Sequence, residues 1–177
     1  MAYNIDMKLY HGSYVAIDKP RVDINTRGLD FGDGFYLSDS FEQGKSFALR
    51  FANQNRTRKL GISNAVPTVS EYDFDLESAC KNCNIKRFDN PSYEWFDFVV
   101  ANRNKVSLKE VYDIVIGPIA DDQVLTTIRL YEDKVISKDE AMTRFLTSRL
   151  DDQVVIKSNK ALDYVTFIKA TTITDIG

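Results

Sequence analysis

Two periods of apolar residues alternate along the chain. Ile5, Met7 and Leu9 alternate with polar neighbours before Tyr10-His11-Gly12-Ser13 ends the run in a turn, which predicts a strand over about 5–12. Gly34-Phe35-Tyr36-Leu37-Ser38 reads as a second, short strand. The period then changes: Ser40 and Gln43 have capping-box spacing, and Phe47, Ala48, Phe51 and Ala52 recur on one helical face that should pack on the sheet. Residues 66–74 are strand-like, 76–82 suit a short helix and 84–88 an extended segment. Asn90-Pro91 signals helix entry, because proline fits the first turn where its missing N–H is not needed; Trp95, Phe96, Val99 and Val100 then form an apolar stripe ending near Asn104. Tyr112-Asp113-Ile114-Val115-Ile116-Gly117-Pro118 reads as an interior strand, and Val124, Ile128 and Tyr131 continue on a helix. Ser137 and Glu140 form a second capping box ahead of a helix that buries Met142, Phe145, Leu146 and Leu150. Strands over 153–157 and 164–169 close the chain, separated by a turn at Asn159-Lys160-Ala161-Leu162.

Helices and strands are interspersed without the regular alternation of a doubly wound parallel sheet, which favours α+β over α/β. No repeat or linker divides the sequence, so residues 1–177 are read as one domain. The 177 residues, 44% apolar, suffice for one hydrophobic core. With 23 Lys+Arg against 26 Asp+Glu and a pI near 5.2, no electrostatic footprint for general nucleic-acid binding exists, although Arg56-Thr57-Arg58-Lys59 is a local basic stretch that could touch phosphate. The opening Met-Ala-Tyr-Asn-Ile-Asp has neither a basic start nor an apolar stretch, and no apolar run is long enough to span a bilayer. Two cysteines suit a reducing compartment. A cytoplasmic chain with no membrane partner is the expectation.

Several motif-like runs fail on spacing. Gly44-Lys45-Ser46 resembles the end of a phosphate-binding loop, but Asp39 stands where that loop needs its first glycine. Gly32-Asp33-Gly34 starts like a dinucleotide fingerprint, yet Leu37 takes the third glycine position and the segment leads into a strand. Cys80-Lys81-Asn82-Cys83 has metal-ligand spacing but lacks a second ligand pair, since the single His lies at 11; no metal site is expected. No Gly-x-Ser-x-Gly elbow accompanies that His.

What survives is a constellation. His11 sits where a strand ends, followed by Gly12 and Ser13, where the backbone can bend around a ligand; Tyr36 lies on the second strand, read either as a ring platform or as core. Leu9-Tyr10-His11-Gly12-Ser13, followed by Gly32-Asp33-Gly34-Phe35-Tyr36-Leu37-Ser38 and a Lys45-Ser46-Phe47-Ala48 helix, resembles the first two parts of the His-Tyr-Glu pattern of the diphtheria-toxin and poly(ADP-ribose) polymerase branch of ADP-ribosyltransferases. Gln153-Val154-Val155-Ile156-Lys157 and Tyr164-Val165-Thr166-Phe167-Ile168 resemble that superfamily's last strand pair. More narrowly, Asp30-Phe31-Gly32-x-Gly34-Phe35-Tyr36-Leu37, Trp95-Phe96-Asp97-Phe98-Val99 with Asn102-Arg103, and Tyr112 to Pro118 with Ala120-Asp121-Asp122 resemble a group of small bacterial proteins placed in the same superfamily.

The resemblance implies a fold of split mixed or antiparallel sheets with flanking helices, and NAD as substrate bound in the split. It implies that His11 holds a ribose hydroxyl, that the Gly12 backbone meets the nicotinamide carboxamide, that Ser13 and Gly34 add to the pocket, and that Tyr36 stacks on the ring. Phe47 or Phe51 would supply a second aromatic. Gln153 takes the position of the usual Glu; it keeps a hydrogen bond to the ribose and loses the charge. The implied activity is transfer of ADP-ribose to an intracellular protein or nucleic acid with release of nicotinamide, as in bacterial toxins and conflict-system effectors, which an antitoxin can cover. The alternatives are a catalytically silent NAD or ADP-ribose binder of the same fold and a structural protein that never meets NAD.

Overall fold

Each change of period becomes a change of element. The computed structural model describes residues 6–22, 28–57, 65–106, 108–119, 122–146 and 151–174. In chain order these form β1 (Asp6–Ser13), β2 (Phe35–Ser38), α1 (Phe41–Thr57), β3 (Thr68–Asp75), α2 (Leu76–Asn82), β4 (Ile85–Arg87), α3 (Tyr93–Arg103), β5 (Ile114–Pro118), α4 (Asp122–Glu132), α5 (Lys138–Leu146), β6 (Asp152–Ile156), α6 (Asn159–Leu162) and β7 (Val165–Thr172). Among sequence readings, Ile5, Arg58, Lys59, Ala120, Asp121 and Leu150 lie outside the described residues.

Caps set the helix starts. The Gln43 amide donates to the Ser40 hydroxyl at 3.3 Å, and Ser137 and Glu140 exchange backbone-to-side-chain bonds in a reciprocal box, so both sequence signals become real caps. Pro91 does not begin α3: the Ser92 hydroxyl accepts from the Trp95 amide at 3.1 Å, and the helix opens at Tyr93. The expected turn at 159–162 is instead a single helical turn, closed by the Ser158 hydroxyl accepting from the Ala161 amide.

Two separate sheets are not formed. The strands make one seven-stranded sheet in the order β4-β5-β6-β2-β1-β3-β7, antiparallel except for the β4–β5 pair. This mixed sheet with flanking helices is an α+β domain. The two-sheet expectation fails at its centre, because β1 and β2 do pair, but only at Tyr10↔Ser38 among the described residues. On its other side β1 pairs with β3 along its whole length, from Asp6↔Asp75 to Ser13↔Thr68. β2 pairs with β6 from Phe35↔Ile156 to Ser38↔Gln153. A narrow join thus links two well-paired halves.

Alternation of side chains sorts the core onto both faces. On one face Leu9, Phe35, Leu37, Tyr72, Phe74, Val154 and Ile156 pack beneath α2 and α6. On the other, Val115 and Val155 carry the aromatic layer of α3, α4 and α5, built on Trp95, Phe96 and Phe145. α1 covers Tyr10 and Val69 on that same face through Ala48. β5 is buried along its full length, which explains its unbroken apolar run.

Candidate functional site

The second face is thus covered by α1 over β1 and β3, and by α3–α5 over β5 and β6. Between these layers, where β1 and β2 part, lies a cavity of about 340 Å³, within the usual range for small-molecule sites. His11, Gly12, Ser13, Gly34, Tyr36, Phe47, Phe51 and Gln153, all singled out in the sequence, line it. Its wall draws on both sheet faces: Tyr36, Ser38 and Gln153 from one, His11 and Phe35 from the other.

His11 is fixed across the parting. Its Nδ1–H donates to the Tyr36 carbonyl at 2.7 Å, so the imidazole bridges β1 and β2 where the backbone ladder has stopped. The ring also stacks on Phe35, with centroids 4.5 Å apart. Ser13 is buried beside it.

The missing side chain of Gly12 makes room for a helix. A Cβ there would lie 1.9 Å from the Gly44 carbonyl oxygen and 2.6 Å from the Ala48 amide, so it is the backbone of α1, seated against β1, that requires glycine. At Gly34 a Cβ would meet the Ile156 carbonyl at 2.7 Å, which lets the chain enter β2 tight against β6.

Tyr36 is both wall and anchor. Its hydroxyl donates to the Gly32 carbonyl at 2.7 Å and accepts from the Phe31 amide at 3.2 Å. Burial, foremost, pushes the phenol well above its ordinary pKa, so it stays neutral. The loop it holds is clamped from other sides. Arg103 pairs with Asp30 at 2.8 Å, and Lys157 donates to the carbonyls of Phe31 and Asp33. Burial lowers the Lys157 pKa. The Phe31 ring is fully buried among the α3 aromatics, and a Cβ on Gly32 would meet Asn102. The separate runs Asp30-to-Leu37 and Asn102-Arg103 are therefore two sides of one contact.

Gln153 is 5% exposed. Its Nε2 donates to the Pro118 carbonyl at 3.4 Å, and the Trp95 indole N–H donates to the same oxygen at 3.2 Å. The amide is thus turned by a carbonyl it shares with a buried tryptophan. A carboxylate could not make that bond unless protonated. Just outside the wall, Asp39 and Asp152 sit at adjacent ends of β2 and β6. Loss of hydration raises both pKa values; the charge of Asp151 adds to the shift at Asp39, and that of Asp39 to the shift at Asp152. Asp152 is thus close to the wall without joining it.

Both aromatic candidates on α1 line the cavity, and their rings stack with centroids 6.4 Å apart. Tyr10, Tyr14, Leu29, Leu37, Ser38 and Ile119 complete the wall without having been singled out. Only their closeness in sequence to His11, Tyr36 and Gly34 hinted at most of them; nothing marked Ile119. Cys80 and Cys83 lie on α2 and at its C-cap as free thiols, away from the wall. Among the described residues no helix is long and apolar enough to cross a membrane.

Residues 7–167 match the family described as a protein of unknown function (DUF3990), and the chain belongs to that family. No curated protein matches it.

Proposed function

We propose that this DUF3990 chain is an NAD-dependent ADP-ribosyltransferase of the His-Tyr-Gln type, acting in the cytoplasm on a protein or nucleic acid. The observation that carries the reading is the convergence of His11, Tyr36 and Gln153 on one cavity at the parting of β1 and β2. Aromatic walls from Tyr36, Phe47 and Phe51 suit the flat rings of a dinucleotide, and the fixed imidazole with the Gln153 amide suits ribose hydroxyls.

In the reaction the bond between ribose C1′ and the nicotinamide nitrogen breaks, and its electron pair leaves with nicotinamide. A nucleophilic atom of the acceptor bonds to C1′ and loses its proton to solvent. Positive charge grows on the ribose in the transition state, so groups preorganised around it matter most. This activity suits a bacterial toxin or conflict-system effector, and an antitoxin that covers the cavity would block it.

A specific feature favours a second reading, a silent NAD or ADP-ribose binder: no Asp or Glu lines the cavity among the described residues. One experiment separates the two. Wild type and His11→Ala are titrated with NAD, and nicotinamide release is measured. Saturation at 100 times Kd should stabilise wild type by ~2.7 kcal/mol, or about 5–11 °C in Tm. For an enzyme, nicotinamide release should fall by about 10²-fold in His11→Ala. Stabilisation without release leaves the binder; neither response in wild type defeats both readings. Labelled NAD in cell extract would then identify the acceptor.

A further inference from the structure

The cavity has two electrically different ends. At one, Asp39 follows Ser38, Asp152 precedes Gln153, and the carboxylates of Asp39, Asp151 and Asp152 lie close enough to feel one another. The first turn of α1 also lies at this end. There the Ser40 hydroxyl already accepts from the Gln43 amide. At the other end α1 presents Phe47 and Phe51, and the Arg50 guanidinium carbon lies 5.2 Å from the centre of the Phe47 ring. Arg50 stands about 13 Å along the helix from Phe41, at 1.5 Å rise per residue. Among the described residues no Lys or Arg lines the cavity itself.

We propose that Arg50, held over the Phe47 ring, is the contact for the diphosphate of a bound dinucleotide. This rests on the cavity being the NAD site. NAD carries a cationic pyridinium at one end and two phosphate charges in its middle. Placing the pyridinium and its ribose toward Gln153 sets positive charge near Asp39 and Asp152. The phosphates then pass Phe47 on their way out. There a planar guanidinium can grip phosphate oxygens with two N–H groups while its face stays on the ring. In the reverse orientation the diphosphate, in the middle of the ligand, would still pass Phe47, but neutral adenine would take the place of the pyridinium near Asp39 and Asp152; the carboxylates therefore set the direction and Arg50 holds the diphosphate.

The test compares NAD with nicotinamide riboside, which has the same pyridinium and ribose but no phosphate. Both are titrated calorimetrically into wild type, Arg50→Gln and Arg50→Lys at low and raised ionic strength. Arg50→Gln should weaken NAD binding about five-fold and reduce its salt dependence, with Arg50→Lys between it and wild type. Nicotinamide riboside should bind all three within about two-fold. Equal NAD affinity in wild type and Arg50→Gln overturns the proposal. So does an equal loss for both ligands, because Arg50 would then act through the Phe47 ring and not on phosphate. A wild type that binds neither ligand removes the dinucleotide reading of the cavity itself, an outcome distinct from the other two.

Discussion

Replacing Gln153 by Glu exchanges one atom group at a buried position, and its cost follows from the surroundings. The amide donates to the Pro118 carbonyl at 3.4 Å, a long bond at the lower end of the ~0.5–1.5 kcal/mol usual for a net hydrogen bond. Trp95 keeps the same oxygen satisfied, so its loss alone is modest. The larger effect is charge. At 5% exposure, facing a carbonyl oxygen and near Asp39 and Asp152, a carboxylate at 153 should have its pKa raised, and keeping it ionised there should cost ~2–3 kcal/mol. Together these give a deficit of ~3 kcal/mol at pH 7, which for a chain of this size lowers Tm by about 6–12 °C. The sign with pH is fixed. A folded-state pKa above the unfolded value near 4.3 means that stability falls as pH rises between the two and then levels off. Below pH ~4 the protonated acid can donate to Pro118, and the deficit should shrink to ~1 kcal/mol or less. Thermal unfolding of both proteins from pH 4 to pH 8 measures this. Equal Tm values at pH 7, or a deficit that does not change with pH, would refute the placement of this side chain against Pro118.

Two further outcomes follow from the contacts. Gly12→Ala should destabilise by about 3 kcal/mol or more, or abolish soluble protein, because the helix backbone 1.9 Å from the new carbon has no rotamer with which to yield; a urea midpoint near that of wild type would contradict it. Tyr36→Phe should cost about 1–3 kcal/mol and raise protease sensitivity in 28–34, since it removes the hydroxyl that ties Gly32 and Phe31. The retained ring should preserve any NAD-induced stabilisation, which Tyr36→Ala should lose. An unchanged Tyr36→Phe stability would show that Arg103 and Lys157 alone hold the loop.

Most elements were legible because local signals specify them. The Ser40 and Ser137 caps and the branched run of β5 say helix and strand without help from distant residues. Pro91 misled because proline tolerates a first turn without requiring one, whereas the Ser92 hydroxyl closes it. Pairing was harder to read. Nothing within 5–13 or 34–38 announces that β1 and β2, among the described residues, meet at one position, since register depends on partners far away in sequence. The candidate site was readable as a set of residues but not as a set of reasons. Gly12 stood out, yet its neighbour is Gly44; Arg103 stood out, yet its partner Asp30 does not follow from spacing. The carbonyl shared by Trp95 and Gln153 belongs to Pro118, whose own side chain advertises only a strand end.

That Tyr10↔Ser38 is the lone rung between β1 and β2 among the described residues has a mechanical consequence. A fully laddered sheet yields only by tearing many bonds at once, so its interior strands stay closed to guests. Here the four-stranded and three-stranded wings each keep their own stitching, and a small swing between them gives up the Tyr10↔Ser38 rung and the His11 bond to the Tyr36 carbonyl, ~1 kcal/mol net each, together with the His11–Phe35 stacking and some contact beneath α1. A molecule wedged at this seam can therefore find room in the middle of a β-sheet, where backbones normally leave none, without either wing coming undone.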